Sequence, residues 1–351
     1  VDRKKVLENG TVLPEYEPYM TAQEVVWPIA TRGGSQSYLL KQDWVILDIV
    51  MTNAKNGWDR PIYFSSTIPP SSYIGLQPWF QVEGLANRVV PVDFTKFPCP
   101  SSDPYSRSGR VQADISYDLL MNKFRYRGLS DSTMYLDDHI RRTIIGNMSS
   151  MIFRASNAFA DEMDCLDNQN KMMFQMKRVN PEKADSLDPI IARNKKKMEE
   201  AKTKAATLLT MADDSISDAA RGNDAIYPMF AATVWERLDN VEKVKQNFEK
   251  VLKKAEAWVA YFNESEIKLP EYDRLMSAVP FVMQKAREMK DFASAARAAQ
   301  IAFDDSKDPQ YKAMAEQFKA EAAGAGAPKE KTPEPIELNV PKDSDSVPVV
   351  Q

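Results

Sequence analysis

The sequence predicts an α+β N-terminal unit followed by an all-α array of antiparallel helical hairpins. Three observations predict it. From Val1 to about Gly128, short apolar runs alternate with frequent Pro and Gly, the grammar of short strands, loops and a few helices. From Asp137 onward, apolar residues adopt helical spacing and keep it over long stretches. After Gly324, the run APKEKTPEPIELNVPKDSDSVPVVQ holds too much Pro and charge, and too few large apolar residues, to fold. The expected domains are therefore an aromatic-rich α/β unit over 1–136, a tetratricopeptide-like helical array over 137–323, and a disordered tail over 324–351.

Taken in order, the first element is a helix from Gln42 to Asn53, with Trp44, Leu47, Val50 and Met51 on one face. Asn56-Gly57 signals a turn, Pro61 opens a strand-like run IYFSS, and Pro69-Pro70 closes it. A short helical segment is expected to hold Trp79, Phe80 and Val82 until Gly84 interrupts it, and RVVPV reads as a second strand. Beyond Asp137, which with Asp138 can cap a helix start, the stripe Ile140, Ile144, Met148, Met151, Ala155 and Phe159 predicts a long helix. The next helices carry Met198, Ala201, Ala205, Leu208 and Ala212; then Ile226, Phe230, Val234 and Leu238; then Val241, Val244, Phe248, Val251, Ala255, Trp258 and Phe262; then Tyr272, Leu275, Val279, Met283 and Ala286, with a kink at Pro280. Lys290 to Pro309 resembles the second helix of a tetratricopeptide repeat through Phe292, Ala295, Ala299 and Ala302, with Lys290 where the repeat has a turn Gly. The charged run KKKMEEAKTK, Lys195 to Lys204, reads as a solvated helix face.

With 351 residues, 43% hydrophobic and 27% charged, the chain can build real cores. A net charge of -4 with interspersed signs argues against nucleic-acid binding and against gathering on anionic lipid. Cys99 and Cys165 are too few for a disulfide framework and badly spaced for zinc; a single disulfide between them stays open. His139 is the only histidine, which excludes a multi-histidine metal centre and reads as a polar residue in the first turn of a helix. The most apolar run, Trp44 to Met51, is too short to span a bilayer and contains Asp48. The opening VDRKKVLENG reads as mid-protein sequence.

No nucleotide-binding loop, zincin motif or nucleophile elbow is present, and Arg32-Gly33-Gly34-Ser35 lacks the context of a phosphate loop. The acid pairs Asp137-Asp138, Asp213-Asp214 and Asp304-Asp305 fall at expected helix ends, where capping and the helix dipole account for them. No catalytic residue, cofactor or metal is expected. Four of the six tryptophans, Trp27, Trp44, Trp58 and Trp79, lie in the first quarter of the chain. Aromatic faces beside Asn, Gln and Arg suit a sugar or an extended peptide, so Trp58, Arg60, Tyr73, Trp79 and Gln81 are the candidate binding residues. Tyr63, Phe64 and Phe80 read instead as core.

The run LLKQDWVILDIVMTNAKNGWDRPIYFSST, then YIGLQPWFQVEGLANRVVPV, then the stretch from Gly109 to Met163, resembles the C-terminal region of the protein-O-mannosyltransferase-like membrane proteins catalogued as domain of unknown function 2723. The likeness runs in order from about Leu39 to Met163, and Lys171 to Lys204 looks like an extension foreign to it. The resemblance implies an N-terminal block of transmembrane helices outside this chain, carrying the catalytic carboxylate and the lipid-donor site. It implies that this piece lies on the extracytoplasmic or periplasmic face, tethered through that block, with acceptor proteins and sugar as further partners. The expected role is acceptor recognition or scaffolding for transfer of a lipid-linked sugar to Ser or Thr. The alternative is a non-enzymatic envelope scaffold or glycan-binding protein. Asp131-Ser132-Thr133, Asp185-Ser186-Leu187, Asp214-Ser215-Ile216 and Asp345-Ser346-Val347 also resemble a bacterial O-glycosylation acceptor tripeptide.

Overall fold

The computed structural model describes residues 1–21, 24–32, 37–103, 109–134, 136–222, 226–265 and 271–324. It has the predicted class, a small mixed sheet followed by helical hairpins. The chain divides into two compact units, Val1–Lys245 and Gln246–Gln351, so the change of grammar near residue 137 falls inside the first. The expected tail beyond Gly324 lies outside the described residues, as do Gly33 to Ser35 and Asp345 to Val347.

In the first unit, Asp2 caps α1 (Arg3–Glu8) by accepting from Lys5 N. Helix α2 (Lys41–Lys55) buries Leu47 and Val50 of the predicted stripe together with Asp43 and Asn53, but not the stripe's other two members. Trp44 and Met51 are 61% and 48% exposed. The helix is turned by its polar anchors. Asp43 accepts from Arg32 (3.3 Å) and from Leu40 N (2.8 Å), which in that order hold its carboxyl below the usual range, and Asn53 accepts from Arg60 N (3.1 Å).

The sheet consists of β1 (Tyr63–Ser65), β2 (Phe80–Glu83), β3 (Ala86–Val89) and β4 (Arg110–Val111), in the order β1-β3-β2-β4. Pairing is antiparallel except for β2 with β4. The residues expected as a helix around Phe80 and Val82 are strand β2, which pairs on both edges and is buried along its whole length. A strand covered on both faces loses the period of two that would announce it. Gly84, at φ 57°, supplies the positive angle that opens the two-residue turn into β3, a demand only glycine meets without strain. One side of the sheet holds Phe64, Tyr73 and Phe80 with ring centroids 5.1–5.8 Å apart, inside a core that includes Val12, Leu47, Trp58, Trp79 and Val90.

After α3 (Ala113–Asp118), the short α4 (Asp138–Ile140) passes through a π turn, Arg141–Ile145, into α5 (Gly146–Val179). The wider turn advances the stripe by a residue. Ile144, expected inward, is 54% exposed, while Ile145 is buried; Met148, Met151, Ala155 and Phe159 are buried as their spacing predicts. The short link through Asn180 to Lys183 returns the chain as α6 (Ala184–Ser215), so α5 and α6 form an antiparallel hairpin. Ala201, Ala205, Leu208 and Ala212 are its buried seam on α6. Then follow α7 (Asp218–Arg221), capped by Ser217, and α8 (Ile226–Arg237).

Helix α9 (Val241–Ser265) carries the chain into the second unit, where Phe248, Val251 and Ala255 are buried. The disruption expected from Pro280 appears as a break at Ser277 between α10 (Glu271–Met276) and α11 (Ala278–Glu288). Pro280 thus sits in a first turn, where its missing N–H is not needed. Helices α12 (Phe292–Ser306) and α13 (Pro309–Ala322) complete the hairpins, with Ala295, Ala298, Ala299 and Ala302 buried. Arg297 of α12 bonds both Glu249 and Glu256 of α9.

Candidate functional site

The five sequence-predicted binding residues do not form a site. Trp58, Tyr73 and Trp79 are 2%, 3% and 6% exposed and belong to the apolar core. The Trp58 backbone carbonyl accepts from Asn9 Nδ2 (3.0 Å) and Thr11 Oγ1 (3.1 Å), so the turn draws its ring inward and ties down the N-terminal segment. Gln81, also buried, lies on the opposite side of β2 from Phe80, where its amide donates to Glu83 (2.6 Å). Glu83 also accepts from Tyr63 (3.0 Å) and lies 3.7 Å from Arg88. Tyr63, expected in the core, is half-exposed on this polar face, and burial and then the Glu83 charge raise its pKa. Of the five, only Arg60 is exposed, two residues after the buried Trp58.

The acid pairs lie at or near helix ends. Asp137 Oδ1 accepts from His139 N (2.7 Å), as a helix start requires, and His139 is exposed. Asp213 and Asp305, however, lie in the last turns of α6 and α12, where the helix dipole opposes them. Arg221, 4.0 Å from Asp213, and the Tyr272 hydroxyl, donating to Asp305 at 2.5 Å, compensate locally. Among the described residues, no group of His, Cys, Asp and Glu could hold a metal ion.

The structure assembles a different site, a cleft of about 610 Å³ between the 100–102 loop, α5 and α8. Its centre is Arg237, at the C-terminal end of α8. The guanidinium donates to Asn157 Oδ1 (2.8 Å), Ser102 Oγ (3.1 Å), Asp161 Oδ1 (2.8 Å) and Asp164 Oδ2 (2.6 Å). Ser102 in turn donates from its backbone N (2.9 Å) and its hydroxyl (2.5 Å) to Asp161. The loop is fixed at three further points. Cys99 is joined to Cys165 of α5 by a disulfide; Arg110 donates to the Cys99 carbonyl (2.9 Å); and the buried pair Asp103–Arg154 closes at 2.8 Å. Phe153 and Phe230, stacked at 4.6 Å, form an apolar wall.

Two carboxylates share one guanidinium, so the cleft keeps one excess negative charge and a rigid row of acceptors. Asp164, with 59% of its side chain exposed, and Asn168 are presented to solvent. Such an arrangement suits a ligand rich in hydroxyl or amide donors with one apolar face. Asp161, buried, and Asp164, exposed, are both tied to Arg237, which holds their carboxylates as acceptors.

Sequence reasoning missed this cleft, although a signal was present. Phe153, Asn157, Asp161, Asp164 and Asn168 recur on one face of α5, a polar stripe in a helix otherwise patterned for burial. What could not be read was that Ser102 and Arg237, 135 residues apart, converge on it.

Residues 1–114 of the chain match a family model described as TMEM260-associated domain 2. No curated protein and no solved structure matches the chain. The matched stretch takes in the whole sheet and the Cys99–Asp103 loop, whereas Asn157, Asp161, Asp164 and Arg237 lie beyond it. In its first 114 residues, then, this chain is similar to a domain associated with TMEM260.

Proposed function

We propose that the chain is an extracytoplasmic, non-catalytic region of a polytopic O-mannosyltransferase-like glycosyltransferase, and that the Arg237 cleft recognises acceptor protein or its glycan. The observation that carries this reading is the match of residues 1–114 to a TMEM260-associated domain, over a stretch that shares Leu39 to Asp114 with the resemblance read from the sequence. The Cys99–Cys165 disulfide supports an oxidising, extracytoplasmic compartment. The acceptor-rich, aromatic-walled cleft supports a hydroxyl-bearing ligand. Catalysis and lipid-donor binding would belong to the membrane portion of such an enzyme.

Titration calorimetry with mannosides and with Ser/Thr-rich peptides tests the proposal. Binding of at least one class is expected, weakened about tenfold or more by Asp164→Ala, as for loss of a hydrogen bond to a charged group. No binding of either class, or affinity untouched by both Asp164→Ala and Arg237→Ala, would overturn it.

A second reading is a non-enzymatic envelope scaffold with tetratricopeptide-like repeats. It is favoured by α11 to α13, where small residues of α12 allow close helix approach. The coding sequence immediately upstream separates the two readings: a block of hydrophobic helices supports the transferase, a lipoprotein leader the scaffold.

A further inference from the structure

The α5–α6 hairpin continues past the cleft into a segment that the proposed function does not use. Asn170 and Asn194 bond across the hairpin at 3.0 Å, and beyond them burial nearly ceases. Among the described side chains of 171–197, only Ile191 and Asn194 are buried. Met172, Met176 and Val179 are 63%, 44% and 78% exposed and recur at i, i+4 and i+7, so they form one apolar stripe on the last two turns of α5. Phe174, 46% exposed, projects to the other side of the helix, with the Lys195 ammonium 5.9 Å from its ring centre.

Charge concentrates in the same place. Residues 171–197 contain eight lysines and arginines against three acids, a surplus of five positive charges in a chain whose net charge is -4. Lys171, Lys177 and Lys196 pair with Asp167, Asp188 and Glu200, and Arg178, Arg193, Lys195, Lys196 and Lys197 are all exposed. Apolar side chains thus project on two sides of a hairpin end, among cations from both helices. A partner helix would need its apolar contacts on one continuous face. A deformable anionic interface accepts projections from several sides, taking methionine, phenylalanine and valine at the headgroup boundary and the cations at its phosphates.

We propose that the tip of the α5–α6 hairpin, residues 171–197, docks peripherally on an anionic lipid surface. The overall charge argued against such a role because most acids of the chain lie elsewhere, although Asp167 and Glu200, just outside the segment, pair with Lys171 and Lys196. The cluster is local, and at physiological salt only charges within about 8 Å of the surface count fully.

Co-sedimentation of the 351-residue chain with vesicles of phosphatidylcholine, alone or mixed with phosphatidylglycerol, tests the proposal. Binding is expected to the mixed vesicles and to weaken as salt rises. The triple variant Arg193→Gln/Lys195→Gln/Lys196→Gln should lower it roughly 100-fold, from the contribution of each cation near an anionic surface. Met172→Asp/Met176→Asp should lower it by about tenfold or more through loss of apolar insertion. Both variants change exposed positions, so their thermal unfolding should match the parent. The proposal is overturned by no binding to the mixed vesicles, by equal binding to both compositions, or by variants that bind like the parent. Selective capture of an acidic amphipathic helical peptide in place of lipid would also overturn it.

Discussion

Trp58 combines two demands that rarely meet in one residue: a left-handed backbone, φ 60°, and a large ring 2% exposed in the core. Its place beside Gly57 suggested an exposed platform, but the turn geometry directs the ring inward and leaves its carbonyl to Asn9 and Thr11. Trp58→Ala should therefore act on folding rather than on ligand binding. A loss of about 3–5 kcal/mol is expected in urea unfolding. A variant with unchanged stability would show that the ring is not core. Arg237 is the converse case. Nothing in its local sequence marks it, yet it organises four side chains from two other segments.

At the scale of elements, the helical hairpins are closed by residues that sequence rules would not choose. Asp239, Lys290 and Lys307 take left-handed conformations near φ 58° at or just beyond helix ends. Lys290, at the position a tetratricopeptide-like pattern would give to a turn glycine, holds at φ 58° the left-handed conformation that glycine favours. Lys290→Gly should relieve that strain, partly offset by glycine's greater freedom in the unfolded chain, for a net gain of roughly 0.5–1 kcal/mol. A lower melting temperature in this variant would show that the lysine side chain contributes more than its backbone costs. The same scale explains two misreadings. Strand β2 is buried on both faces and so shows no alternation, and the π turn at Arg141–Ile145 shifts a stripe that straight-helix spacing carries onward to Ile144.

For the whole molecule, the Cys99–Cys165 bond closes a loop across 66 positions and unites the sheet-side loop with the long hairpin inside the first unit. Closing a loop of that length restricts the unfolded chain, and the double variant Cys99→Ser/Cys165→Ser should cost about 2–4 kcal/mol. Equal denaturant midpoints for the parent with and without reductant would contradict this. The bond also seats Ser102 against Asp161, so the double variant should weaken cleft binding even in buffers where the fold persists.

The sequence by itself determined the fold class and most helical seams, because 3.6-residue periodicity is a local property that long amphipathic helices state repeatedly: Ala201 to Ala212, Phe248 to Ala255 and Ala295 to Ala302 are all buried as spaced. It also held the polar stripe of α5, though not what completes it. Only the tertiary structure decided which aromatic residues are core, which strand is central, that the two cysteines meet, and where Ser102, Asp161 and Arg237 form one cleft. Those facts depend on contacts between residues distant in the chain, whose geometry no local period encodes.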